Sequence, residues 1–141
     1  MSLVLVVTLA GQRVALPSAE VESVVEIEAV TTVPRTAPHV AGLAALRSRV
    51  VTVIDCRAAL GLGATEKVRD AVVAVIDGHP YALLVERVED VVESGDVRPL
   101  SASAGSGWSR AARGAVEAEG VLMLLLDVAA LVAGATTAEA A

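Results

Sequence analysis

Short apolar segments rich in valine recur along the whole chain, each followed by a turn signal. This punctuation limits the fold more than any other feature. The segments Leu3–Leu9, Arg13–Leu16, Val21–Ile27, Val50–Ile54, Ala71–Ile76, Tyr81–Glu86, Val88–Glu93, Gly114–Ala118 and Val121–Leu126 read as strands. Valine's branched Cβ suits a pleated backbone. Ala10-Gly11-Gln12, Asp77-Gly78-His79-Pro80 and Glu119-Gly120 read as hairpin turns, where glycine supplies positive φ cheaply. Helical signals are short. Asp55 precedes Cys56–Leu60 and Gly61, and Asp127 precedes Val128–Val132 and Gly134. Each Asp is placed to cap a brief helix and each Gly to end it. Glu28–Pro38, Leu62–Asp70 and Ser94–Arg113 read as loops, and 136–141 as a frayed tail.

The chain also partly repeats itself. A shift of 67 residues lays Gly11–Glu26 on Gly78–Glu93 with eight of sixteen positions identical. After the valine pairs are discounted, the turn glycines, the Ala-Leu pairs and the Val-Glu pairs stay in register. With the two strand-Asp-helix units, this predicts two similar β-units in tandem. Units of about 60–70 residues with five short strands each point to small barrels, which close their own edges. Such units are marginal alone, so an apolar seam between them is expected. Only Trp108 and Tyr81 are aromatic. Val and Ala supply 53 of the 141 residues and would fill the cores, with Trp108 expected on the long loop.

Composition excludes several functions. The net charge is −6, and ten of the eleven basic residues are scattered arginines, so there is no electrostatic footprint for nucleic acid. The near absence of aromatic side chains removes base-stacking platforms and aromatic cages. Cys56 is the only cysteine, so no intrachain disulfide forms, in keeping with a reducing cytosol. No apolar run outside the tail approaches a membrane span, and no basic region precedes Leu3–Leu9 as a signal peptide requires. A soluble, cytoplasmic protein without membrane insertion is expected.

No constellation promises catalysis. His39 and His79, the only histidines, read as surface turn residues, and their spacing offers no metal site. Gly61–Lys67 lacks the Gly-Lys-Ser/Thr end of a phosphate loop and reads as a connector. Gly105-Ser106-Gly107-Trp108 reads as a loop, not a nucleophile turn. Cys56 reads as a small buried hydrophobe. Glu20, Glu22, Glu26, Glu28, Glu89 and Glu93 read as solvated strand faces. No catalytic residue, cofactor or metal ligand is assigned. One segment stands apart: His39–Arg49 joins a proline-rich loop to the strand Val50–Ile54 through a short apolar turn ending in arginine. An arginine there could snorkel or could anchor a partner.

That segment carries a family resemblance. Val33-Pro34, then Val40–Arg47, then Val50–Arg57 resembles the CheW-like domain, whose pattern runs from a proline through Gly-(Val/Ile)-x-Asn-Leu-Arg-Gly to an apolar strand ending Asp-Leu-Arg. Leu83–Val91 and the hairpin from Arg113–Val116 to Leu124–Asp127 extend the likeness from about Leu3 to Val132. The resemblance implies an all-β fold of two five-stranded SH3-like barrels on a shared hydrophobic core. One domain would span 1–135, its subdomains falling roughly in the first and second halves with possible strand exchange. It implies a non-enzymatic adaptor coupling chemoreceptors to the histidine kinase CheA. The partners would be the kinase regulatory domain and the cytoplasmic tip of methyl-accepting receptors, met at membrane-associated arrays. A coupling protein of a biofilm or pilus pathway is the alternative within that class, and a small ligand-binding barrel the alternative outside it. A shallow apolar groove between the barrels is expected for the receptor hairpin.

Matched position by position, Arg47 takes the place of the motif arginine linked to receptor contacts. Val21 takes an apolar position at the receptor groove, and Gly42 the glycine that opens the motif. Ala45 replaces the motif Asn, Ser48 replaces its Gly, and Ser23 stands where many members carry Glu. Arg47, Val21, Gly42, Ser48 and Ser23 are therefore the expected partner-binding set.

Overall fold

The computed structural model describes residues 2–46, 49–65, 70–99 and 106–134. It holds ten strands. The first five are β1 (Ser2–Leu9), β2 (Gln12–Pro17), β3 (Val21–Glu26), β4 (Val40–Leu46) and β5 (Arg49–Asp55). The rest are β6 (Asp70–Ile76), β7 (His79–Val85), β8 (Arg87–Ser94), β9 (Ala112–Ala118) and β10 (Val121–Leu126). Three short helices are α1 (Cys56–Ala59), α2 (Ser106–Ala111) and α3 (Val128–Ala133). The three Xaa-Gly turns hold both central residues at positive φ, at Ala10 and Gly11, Asp77 and Gly78, and Glu119 and Gly120. That is the hairpin turn whose twist matches its strands.

The strands form two five-stranded units, as expected, but the units do not follow one another along the chain. One is a closed barrel in the order β1-β2-β10-β9-β8. The other runs β3-β6-β7-β5-β4. The chain's middle builds one unit and its two ends build the other, so the tandem division gives way to strand exchange. The repeat explains the exchange. Hairpin β1–β2 stays in the barrel while β3 crosses to the second sheet, and hairpin β6–β7 stays in that sheet while β8 crosses back. The parallel pairs β10–β2 and β5–β7 correspond too.

Burial is the physical reason. A single seam cluster takes Leu5, Val7, Leu9, Val14 and Leu16 from one hairpin and Val72, Ala74, Leu83 and Val85 from the other. Each sheet thus covers the outer apolar face of its neighbour. Two smaller clusters fill the units themselves, around Val4, Val6 and Val116 in the barrel and around Ile27, Val51 and Leu84 in the second sheet.

α1 and α3 follow corresponding strands and are capped as expected. Asp55 accepts from the Ala58 N–H at 3.2 Å, and Asp127 from the Ala129 N–H at 3.0 Å. Asp55 is buried and also accepts from the Thr65 N–H at 2.7 Å and its hydroxyl at 2.5 Å. It thereby ties down the segment after α1.

Four local expectations change. Val40–Leu46, read as an apolar turn, is strand β4, paired along its length with β5. Ser106–Ala111, read as loop, is helix α2. Its Trp108 is 9% exposed and belongs to the seam cluster, so the single large ring fills the core between the units. His39 is buried rather than a surface turn residue, and its Nε2 donates to the Val132 carbonyl at 2.7 Å. The expected 136–141 tail, residues 66–69 of the Leu62–Asp70 connector and the serine-rich 101–105 lie outside the described residues.

Candidate partner-docking surface

The sheet order leaves β3 and β4 at opposite ends of the second sheet. The two strands line one opening without pairing. At one end of the gap the Thr31 N–H donates to the Leu43 carbonyl and the Leu43 N–H to the Thr31 carbonyl, both at 2.8 Å. At the other end the Arg49 guanidinium donates to the Glu22 carboxylate. Between them lies a cavity of about 590 Å³ lined by residues of β3, β4 and β5, with Val73 contributing from β6. Exposed apolar side chains flank it: Val24 on β3, Leu43 on β4 and Val50 on β5.

The expected partner-binding residues distribute unevenly around this opening. Ser23 lines it. Val21 begins β3 two residues before Ser23, half-buried against the seam cluster, and pairs with Ala74. Arg47 and Ser48 lie outside the described residues. The residues flanking them, Leu46 and Arg49, pair with each other and line the cavity.

Gly42 is buried within β4 and offers a partner no surface. Its φ is +147°, and a Cβ there would stand 2.1 Å from the Thr31 carbonyl oxygen. Gly42 therefore serves the fold, because only a missing side chain lets the 30–31 segment cross β4 so closely. Sequence reasoning missed Gly114, which plays the corresponding part in the barrel: a Cβ there would stand 2.5 Å from the Arg98 carbonyl oxygen. A signal was available, since each glycine precedes an apolar strand that runs into an Asp-capped helix.

The opening is acidic and lies within the second sheet, so it is not the groove between the units expected for a receptor hairpin. Glu22, Glu26 and Glu28 all line the opening. Solvated strand faces were the right reading for most carboxylates, several of which pair with arginines. Arg13 holds Glu89 at 3.2 Å and Glu119 at 2.7 Å, and Arg113 holds Glu20 at 2.8 Å. The hydrogen bond that Arg113 donates to the Glu20 carboxylate is the main reason the Arg113 pKa is raised. Cys56 is fully enclosed. Burial pushes its thiol pKa upward, and the negative charge of Asp55 adds to the effect, so the sulfur stays protonated at neutral pH. Among the described residues no group of three or more His, Cys, Asp or Glu side chains could hold a metal ion, and no helix is long and apolar enough to cross a membrane.

Comparison with known proteins accounts for this architecture. A solved structure, the scaffolding protein TtCheW from Thermoanaerobacter tengcongensis, superposes with a TM-score of 0.79 at 21% identity, covering 90% of this chain and 89% of that one. At that identity the likeness speaks for the fold. The chemotaxis protein CheW of Thermotoga maritima is 26% identical over 129 residues, covering 91% of this chain and 85% of the relative. The family model of the CheW-like domain matches residues 3–136, across both five-stranded units, and the chain accordingly belongs to the CheW-like domain family.

Proposed function

We propose that this protein is a non-enzymatic cytoplasmic adaptor that couples chemoreceptors to the histidine kinase CheA. The observation that carries the reading is the extent of the family match, which takes in 3–136 and so both five-stranded units. Two units on one shared apolar seam give two separate faces. An adaptor works by holding two weakly bound partners at once, which raises the effective concentration of one near the other. On this reading the kinase regulatory domain docks on one unit. The receptor's helical hairpin docks beside the seam, over Val21, Ser23 and the β4–β5 hairpin that carries Arg47 and Ser48. Gly42 acts indirectly, by setting the path of β4.

Co-sedimentation with receptor-bearing membranes and the kinase tests this. Arg47→Glu should lower receptor co-sedimentation at least tenfold, about 1.4 kcal/mol of coupling, with an unchanged melting temperature. Binding to the isolated kinase regulatory domain should persist. A folded variant that recruits kinase to receptors as well as the parent does would sink the proposal.

A further inference from the structure

Among the described residues, the second sheet leaves backbone hydrogen-bonding groups without a partner strand between β3 and β4. Along an antiparallel strand the backbone groups of alternate residues point to the same side. On β4, those of Leu43 face the gap, where Thr31 meets both. Two residues on, the N–H and C=O of Ala45 face the same way, and β4 ends the sheet on that side. β3 ends it on the other rim. The opening of about 590 Å³ continues into a second of about 320 Å³, the two sharing Glu26, Glu28, Ala45 and Leu46. Unpaired edges of this kind are templates for another strand.

Charge selects the occupant. Glu22 is held by Arg49, but Glu26 and Glu28 have no ion pair among the described residues. A second copy pairing its own β3 here would set Glu22 and Glu26 against like charges, which destabilises cross-strand pairs. The chain's net charge of −6 acts in the same direction. We propose that the seam between β3 and β4 accepts an extended, basic segment of a partner protein by strand addition. The segment's backbone would pair with the edge at Ala45, and its Lys or Arg side chains would meet Glu26 and Glu28. The free edge runs over Ala44–Leu46, three residues, about 10 Å of strand at roughly 3.3 Å each. The proposal does not rest on the adaptor reading, and it concerns an extended segment rather than a helical hairpin.

The test uses the full chain and a synthetic peptide of about eight residues alternating Lys and Val. Three comparisons accompany it: a Glu-Val peptide, a Lys-Val peptide with prolines replacing two valines, and a helix-forming Ala-Lys peptide of equal charge. Fluorescence anisotropy reads affinity, and amide NMR reads the site. The Lys-Val peptide should bind and protect the Ala45 amide from exchange. The proline peptide should bind at least tenfold more weakly, because it lacks the N–H donors of a strand. The Glu-Val peptide should not bind. The double variant Glu26→Lys with Glu28→Lys, both exposed and so expected to fold, should lose at least tenfold in affinity. Equal binding of the proline or helical peptide would overturn the proposal by showing charge attraction alone. Shifts confined to another face, or no binding of the Lys-Val peptide at millimolar concentration, would overturn it as well.

Discussion

The two five-stranded units are built from one repeated plan, yet one closes and the other does not. In the barrel, β8 and β9 pair at Ser94 and Ala118, and the Gly95 N–H donates to the Glu117 carbonyl at 3.0 Å. Arg98 and Ala115 then exchange bonds at 2.8 and 2.9 Å. In the second sheet only the last of these contacts survives, as the exchange between Thr31 and Leu43. The 67-residue shift puts Ile27 where the barrel has Ser94, and Glu28 where it has Gly95. Ile27 is buried in the interior cluster that also contains Ala44 of β4. Ile27 fills the interior of the second sheet, whereas Ser94, also buried, pairs with Ala118 and joins β8 to β9. The sealed barrel and the open edge thus part at these two positions, where small residues in one unit correspond to larger ones in the other.

The largest expected effect tests the one contact that the units share. Gly42 and Gly114 both let a crossing segment touch the strand, but only Gly42 also has positive φ. Gly42→Ala therefore meets backbone strain as well as collision, and urea unfolding should register a loss above about 4 kcal/mol. Gly114→Ala meets collision alone, so about 1–3 kcal/mol is expected. Equal losses would break the distinction. The next effect tests the exchange itself. Ile27→Ala should cost about 3 kcal/mol, the usual scale for emptying a buried aliphatic site. Ser94→Ala should cost less than about 1 kcal/mol, since its hydroxyl reaches the Ser2 carbonyl only at 3.4 Å. Should Ser94→Ala prove the more damaging, the hydroxyl, not its small size, is what closes the barrel.

The same pairs show what the sequence could reveal. Nine strands announced themselves because valine runs between Xaa-Gly turns leave little choice. β4 did not, because Ala41, Gly42, Ala44 and Ala45 are poor strand formers and a glycine there reads as a break. It becomes a strand only through β5 alongside it and Thr31 across it. Trp108 sits in a Ser-Gly context that reads as loop, and only the far-off seam makes α2 worth forming. His39 follows a proline, a surface signal that a tertiary bond to Val132 overrides. Strand exchange was half visible, since the repeat marks equivalent segments but nothing local says which sheet each joins. The expected docking residues were legible through family likeness, whereas the acidic opening was not. A gap between strands is a property of backbone paths, and Glu26 and Glu28 look like any solvated strand face until β4 fails to meet them.

The smallest effect separates the two units at their capped helices. Cys56 and Val128 begin α1 and α3 after Asp55 and Asp127, and each is 1% exposed. They differ in one respect: the thiol can ionise. Burial first, and the Asp55 charge second, raise its pKa above the ordinary 9.0. The folded chain therefore keeps a proton that the unfolded chain gives up, so stability is intact below about pH 9 and falls as pH rises beyond it. The slope approaches about 1.4 kcal/mol per pH unit for one proton. Cys56→Val gives α1 the residue that α3 already has. Urea unfolding at about pH 8 and about pH 10 should show the parent losing roughly 1 kcal/mol more than the variant across that interval. Other groups that titrate there contribute equally to both proteins and cancel. Parallel losses would mean that the thiol reaches solvent and ionises in the folded chain, so that the two helix starts are not equally enclosed.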